Sequence, residues 1–246
     1  MTTIKLTKSI ENVPPSAEIR QQLKEENRPV CVAFSGGKDA LAAALALKNE
    51  GISIKLAHLY PVPGVNPRQP LEFSRRYLDY CEDKLETKIH RYPHPGFYRL
   101  LNNYIFQAPE HLPSIFRAGI PTPTFEEMWE FIRADLGLDE DTWVADGVRA
   151  SDSLVRRASI KKHGAMKTKG HKVSAIYDWL QGSVYDYIKD HNIDLAPDYE
   201  WFGRSFDGVD YRFIEPMSRF APDDYQQVLK WFPLAELELI RHDIRV

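Results

Sequence analysis

Val30-Cys31-Val32-Ala33-Phe34 is an apolar run of buried-strand type that ends in Ser35-Gly36-Gly37 and passes directly into Lys38-Asp39-Ala40-Leu41-Ala42-Ala43-Ala44-Leu45-Ala46-Leu47-Lys48. The spacing predicts a buried strand that turns through two glycines into a helix. Glycines let backbone N–H groups approach an anion closely, and a helix N-terminus adds about half a positive charge. The stretch therefore reads as a phosphate cradle; the bland alternative is a strand-turn-helix corner with glycines for tight packing. It is not a Gly-x-x-x-x-Gly-Lys-Ser/Thr loop, because here both glycines directly precede Lys38.

The chain beyond this helix predicts the rest of a sheet. Residues 52–60 read as a second strand and 61–67 as the turn beyond its C-terminal end, bordering the ligand in an open α/β sheet. Pro70 is placed as the first residue of a helix that keeps Phe73, Tyr77, Leu78, Cys81 and Leu85 on one side as far as Thr87. Residues 88–92 give a third strand. The order β-α-β-α-β predicts an α/β fold with a parallel, right-handed, doubly wound sheet flanked by helices. At 246 residues the chain suits a single domain spanning 1–246, with a core over about 28–200 and a small helical C-terminal region over about 201–246.

Other segments carry weaker signals. Residues 2–10 read as a short strand or an ordered arm, and Ser16 as the N-cap of the next helix. Residues 93–123 combine one aromatic-rich helix near 97–106 with a proline-broken loop, either a lid or a packed cover. Thr124-Phe125-Glu126-Glu127 has capping-box spacing, and so has Ser183-Val184-Tyr185-Asp186. Residues 143–153 read as a strand, a turn and a helix capped by Ser151, and Gly164 to Gly170 as a mobile loop. Asp178 and Trp179 read as structural. A helix is expected over 222–231 and another after Pro233, as core or as an oligomer surface.

The net charge of -3 gives no global attraction to nucleic acid or membrane, so such a partner needs a local patch. One exists: from Arg149 to Lys172 the chain holds eight Lys or Arg residues against the single acid Asp152. It reads as a solvated basic face, a polyphosphate clamp, or a surface for nucleic acid or a partner protein. No apolar run reaches the roughly 18 residues of a membrane span, and the first residues lack a signal-peptide core, so a cytoplasmic protein is expected. Cys31 and Cys81 form no C-x-x-C pair and read as apolar fillers.

Ser35-Gly36-Gly37-Lys38-Asp39 resembles the Ser-Gly-Gly-x-Asp-Ser loop of the PP-loop ATP pyrophosphatase superfamily. Lys38 at the variable position is similar to the branch that includes phosphoadenosine phosphosulfate reductases. Gly147-Val148-Arg149 with the arginines that trail it resembles that branch's Gly-x-Arg-x-x-x-Ser stretch, and residues 174–188 resemble its Asp-Trp region in order and spacing. The resemblance implies an adenine nucleotide as ligand, ATP with Mg²⁺, held on Phe34, Ser35, Gly36, Gly37, Lys38 and Asp39. Lys38 and Asp39 would be catalytic, with Asp39 organising the loop or meeting the metal. Gly147 and Arg149 become nucleotide-side candidates, Arg156 and Arg157 phosphate or substrate-anion candidates. His58 joins the nucleotide-side set, although a lone strand histidine also reads as structural.

The chain departs from the pattern in three places. Ala40 stands where the final hydroxyl belongs, and the turn after the second strand has altered letters. No cysteine follows Cys81, whereas a sulfonucleotide reductase needs a thiolate to attack the sulfonucleotide. The sequence reading therefore rejects reductase activity, and the same absence argues against cysteine-dependent tRNA thiolation. ATP-dependent adenylation of another substrate is expected, with a nucleotide-binding regulatory or nucleic-acid-associated protein of little turnover as the alternative.

Overall fold

The computed structural model describes residues 9–244. Most of the arm read over residues 2–10 lies outside them. Six strands, β1 (Val30–Ala33), β2 (Ile54–Tyr60), β3 (Ile89–Pro93), β4 (Val144–Asp146), β5 (Met166–Lys167) and β6 (Lys172–Ser174), form one sheet in the order β3-β2-β1-β4-β6-β5. β1 pairs in parallel with β2, Val30 opposite Ile54, and with β4, Cys31 opposite Val144; β4 pairs in parallel with β6, and β5 pairs with β6 in the antiparallel sense. The expected mainly parallel α/β sheet is therefore present. Its order reverses at β1: the chain proceeds to β2 and β3 on one side and to β4 on the other. With right-handed crossovers that reversal puts connecting helices on opposite faces. It also opens a crevice beyond the C-terminal ends of β1 and β4.

The contacts divide the chain into two compact units. The first comprises residues 1–58, 80–90 and 129–195 and contains most of the sheet. β1 is buried on both faces, hence its unbroken apolar run. α2 (Lys38–Asn49) buries every residue from Ala40 to Leu47. It packs on α8 (Gln181–Asp190), where Asn49 Nδ2 donates to the Tyr187 hydroxyl at 2.9 Å.

α1 (Ser16–Glu25) starts where Ser16 predicts, but Ser16 does not cap it: Pro15 holds the N-cap position. The Ser16 N–H and hydroxyl both donate to the Asp178 carboxylate. Arg20 on the same helix donates to Ala175 O at 2.8 Å, and its guanidinium lies 5.6 Å from the Trp179 ring centre. Asp178 and Trp179 thus serve structurally by anchoring α1, whereas the sequence reading has them hold the helix that follows them. Cys31 and Cys81 are fully buried, and burial pushes the Cys31 thiol up to about 12.

Three further differences have local physical causes. Residues 164–170 are not a loop throughout, because β5 pairs as a hairpin with the edge that β6 offers. α7 (Leu154–His163) is capped by Ser153, whose Oγ accepts from Arg156 N at 3.1 Å; Ser151 instead donates to Trp179 O. α8 begins two residues before Ser183, with Leu180 at its N-cap and no side-chain cap.

The second unit comprises residues 59–79, 91–128 and 196–246. Its own core includes Leu71, Phe73, Phe97, Ile214, Val228 and Phe232. The excursions after β2 and β3 and the C-terminal helices thus share one apolar interior. α3 (Glu72–Leu85) starts later than Pro70, which bridges to Pro63. Its cap comes from far away in sequence: Glu72 N and Phe73 N donate to the two Asp224 carboxylate oxygens at 2.7 and 2.9 Å. Asp224→Ala leaves both donors unmet and is expected to cost about 1–2 kcal/mol, read as a lower urea midpoint at unchanged slope.

The proline-rich segment holds α4 (Pro95–Asn102), a 3-10 turn (Pro109–His111) and α5 (Leu112–Ala118). Prolines open each of them, in first-turn positions that lack an N–H partner anyway. α6 (Phe125–Asp135) has the expected capping box: Thr124 Oγ1 accepts from Glu127 N at 3.2 Å, and Glu127 Oε2 accepts from Thr124 N at 2.7 Å. The C-terminal region adds α9 (Asp198–Phe202), α10 (Tyr211–Phe220), α11 (Pro222–Trp231) and α12 (Leu237–Ile244). No helix among the described residues is long and apolar enough to cross a membrane.

Asp198, at the start of α9, is buried; its carboxylate accepts from Phe206 N at 3.0 Å while Oδ1 has no partner among the described residues. Burial pushes this carboxyl up to about 6. A folded-state value above the unfolded one contributes stability below about pH 4, and that contribution is lost as pH rises through about 6. The stability difference between the native chain and Asp198→Asn should therefore change by about 3 kcal/mol at most between pH 4 and pH 7. Urea titrations at the two pH values check it.

Candidate functional site: the β1–α2 and β4–α7 loops

Both loops belong to the first unit. Phe34 closes β1 with its ring fully buried, so it offers any ligand only backbone. The chain then turns at Gly36, whose φ of +79° is the left-handed region that glycine enters without strain. Gly37 is the N-cap of α2 and supplies no side-chain cap. The first-turn N–H groups of α2 are therefore directed out of the helix without an intrahelical acceptor. Ser35 Oγ accepts from Gly37 N at 3.2 Å. Ala40 is buried.

His58 stands behind this loop rather than in it. It is 5% exposed, and its Nδ1 lies 2.9 Å from Phe34 O. A carbonyl can only accept, so Nδ1 carries the proton in this contact. His58 thus holds the backbone at the end of β1.

The β4 loop is pressed onto the start of α2. A Cβ on Gly147 would lie against the carbonyl carbon of Asp39, 2.6 Å from its oxygen and 2.7 Å from Ala40 N. Only glycine fits between β4 and this helix end. Two residues on, Arg149 is 4% exposed and its guanidinium sits among carboxylates. Nε lies 2.9 Å from Asp39 Oδ1, and Nη2 lies 2.6 Å from Asp152 Oδ1. The Nε contact is a charge contact without hydrogen-bond alignment. Nη1 is buried and has no partner among the described residues.

Lys38 Nζ lies 2.6 Å from Asp39 Oδ2 and 5.9 Å from the Tyr185 ring centre. Arg156 Nη1 lies 2.5 Å from Asp152 Oδ2, and Arg149 N donates to the same oxygen at 3.2 Å. Lys38, Asp39, Arg149, Asp152 and Arg156 form one alternating chain of charges around the α2 N-terminus. Asp146, at the end of β4, accepts from Val148 N at 3.1 Å, and burial pushes its carboxyl up.

The sequence-derived candidates therefore separate. Ser35 to Asp39, Gly147, Arg149 and Arg156 come together, and His58 buttresses them from behind. Arg157 lies instead on the wall of a cavity of about 390 Å³ that Ser151, Asp178 and Trp179 also line. Of the basic run, Arg149 is interior, while Lys161, Lys162 and Lys169 are exposed. Sequence reasoning misses Asp152 and Tyr185. The i,i+3 pairing of Arg149 with Asp152 is the available signal for the first, and nothing local marks the second.

The Asp39 carboxylate lies between two cations: Oδ2 is 2.6 Å from Lys38 Nζ, and Oδ1 is 2.9 Å from Arg149 Nε without accepting a hydrogen bond among the described residues. Among the described residues no three His, Cys, Asp or Glu side chains are grouped to hold a metal ion.

No protein-family model matches the chain, and no curated protein does. Solved structures similar to it include the NH3-dependent NAD synthetase of Campylobacter jejuni, at 14% identity over 92% of this chain and 93% of that one, with a TM-score of 0.43. The U34-tRNA thiolase NcsA of Methanococcus maripaludis, with its [4Fe-4S] cluster, is 12% identical over 96% and 88%, with a TM-score of 0.41. A predicted subunit of tRNA methyltransferase from Methanocaldococcus jannaschii is 18% identical over 66% and 74%, with a TM-score of 0.34.

Proposed function

We propose that this chain binds ATP with its phosphates on the loop from Ser35 to Asp39 and cleaves it between the α- and β-phosphates, adenylating a substrate. One observation carries the reading: at the strand-order reversal, Gly147 seats a buried arginine, with an unpartnered Nη1, against an uncapped helix N-terminus. A buried guanidinium N–H without an acceptor is costly, and a phosphate oxygen is the acceptor whose geometry a guanidinium matches.

In this reading a substrate oxygen attacks the α-phosphorus, the bond to the α–β bridging oxygen breaks, and that oxygen leaves with pyrophosphate. The chain contributes positioning and charge. Backbone N–H groups at the start of α2 receive phosphate oxygens, and Lys38 meets the charge that develops on the leaving pyrophosphate. Asp39 keeps Lys38 and Arg149 in register. Mg²⁺ bound with ATP would supply further charge stabilisation, and Asp39, whose Oδ1 accepts no hydrogen bond among the described residues, is the carboxylate that would meet it.

The test is calorimetric ATP binding with pyrophosphate release measured beside it. Lys38→Ala and Gly37→Ala are expected to weaken ATP binding at least about tenfold, the effect of losing roughly one charged contact. Unchanged ATP binding and unchanged pyrophosphate release in both variants would sink the proposal.

A second reading is favoured by α7, where Ile160 is the only fully buried side chain while Arg156, Arg157, Lys161 and Lys162 face solvent. In it the chain keeps the nucleotide site with little turnover and contacts nucleic acid through this helix. Oligonucleotide binding that falls steeply with salt, without pyrophosphate release, selects it.

A further inference from the structure

The second unit holds a cavity of about 500 Å³, within the size range of small-molecule sites. Phe97, Leu100, Ile105, Phe106 and Val209 give it apolar lining, and His94, Arg99, Asn103, Asp207 and Asp210 give it polar lining. It shares no residue with the loops around α2.

The polar groups are not equivalent. Asp207 is ion-paired with Arg204. Asp210 caps α10 by accepting from Arg212 N at 3.0 Å, and also lies 2.8 Å from Arg212 Nη2. Both acids are committed to arginines outside the cavity lining. Arg99, by contrast, is exposed, and its guanidinium makes no ion pair or hydrogen bond among the described residues. His94 Nδ1 accepts from Gly96 N at 2.9 Å as the N-cap of α4, which leaves the proton of the neutral ring on Nε2. Burial first, and then Arg99, hold the imidazole below its usual value, so the ring is neutral at pH 7. The uncommitted donors of the lining are thus a guanidinium fork and one imidazole N–H, with the Asn103 amide beside them.

The wall itself is held in an unusual conformation. Tyr104 has φ +57° and Phe106 φ +56°, left-handed backbone that aromatic residues rarely adopt. For Tyr104 the helix end gives a reason, because Ile105 N donates to Leu100 O and Tyr104 N to Leu101 O, both at 2.9 Å, closing α4 in a Schellman motif. Phe106 follows no helix end. Its carbonyl accepts from Leu234 N at 2.9 Å, and Gln107 Nε2 donates to Trp231 O at 2.7 Å, so the segment is fastened from behind while Ile105 and Phe106 line the cavity. Strain of this kind collects where a ligand wall must hold its shape.

We infer that this cavity is a second binding site, for a small monoanion in which a carboxylate is attached to an aromatic or branched apolar body. The carboxylate would take the Arg99 fork and the His94 Nε2–H, and the apolar body would lie against Phe97, Leu100 and Val209. One cation matches a single negative charge better than a polyphosphate.

The test titrates the full chain with 2-naphthoate and with neutral 2-naphthalenemethanol, by ligand-observed NMR. 2-Naphthoate should bind about tenfold more tightly than the alcohol. Arg99→Gln should remove that preference, and Asn103→Trp, which puts an indole on the cavity lining, should abolish binding of both. Arg99 and Asn103 are exposed, and an unchanged thermal melt shows that each variant is folded. Equal affinity for the two probes, naphthoate binding indifferent to Arg99→Gln, or no binding at low-millimolar probe would overturn the inference. So would naphthoate binding lost in Lys38→Ala but kept in Arg99→Gln, which would move the probe to the α2 loop.

Discussion

Arg149→Met should lower the unfolding free energy by about 3 kcal/mol and remove nucleotide binding. Losing one partner of a buried ion pair costs about 3–5 kcal/mol, because the remaining charge stays interior without compensation. Here two carboxylates, Asp39 and Asp152, lose the cation between them. Lys38 and Arg156 remain on their outer oxygens, which sets the expectation at the lower end of that range. Urea unfolding of the single variant measures the effect. Adding Asp152→Asn should recover part of it, since the double variant buries one charge fewer. A loss below about 1 kcal/mol, the worth of an exposed pair, would mean that water reaches this cluster freely.

Gly147→Ala should be as damaging through sterics alone. The added carbon meets the backbone of Asp39 and Ala40, and backbone cannot rotate out of the way as a side-chain tip can. Overpacking of a tight site typically costs about 1–3 kcal/mol, and the upper end applies because β4 and the α2 N-terminus would have to separate. Gly182→Ala is the matched control. That position lies in the first turn of α8 with nothing within 4 Å of an added Cβ, so alanine should be neutral or stabilise by up to about 1 kcal/mol. Thermal melts of the two variants should move apart, and ATP titration should fail only for Gly147→Ala.

Sequence reading succeeded where the cause of a feature was local. The β1 run, the two glycines and the alanine-rich helix are adjacent, so each predicts the next. Thr124 and Glu127 are three residues apart and form their capping box as expected. It failed where the partner is distant. Ser16 turns from its own helix to Asp178, and α3 takes its cap from Asp224, at sequence separations of 162 and 152 residues. β5 is two residues long and is a strand only because β6 gives it an edge. In the α2 loop the glycines and Lys38 were legible from spacing. The enclosure of Arg149 was not, because in the sequence it stands at the head of a basic run and looks solvent-facing.

α2 is interior from Ala40 to Leu47, on every side rather than along one stripe. Its amides can meet water only when the first unit opens as a whole, so their hydrogen exchange should be among the slowest in the protein. A helix so enclosed cannot slide or tilt to receive a ligand. In the proposed nucleotide site, adjustment to a phosphate would be left to the turn at Gly36 and to the Lys38 and Arg156 side chains.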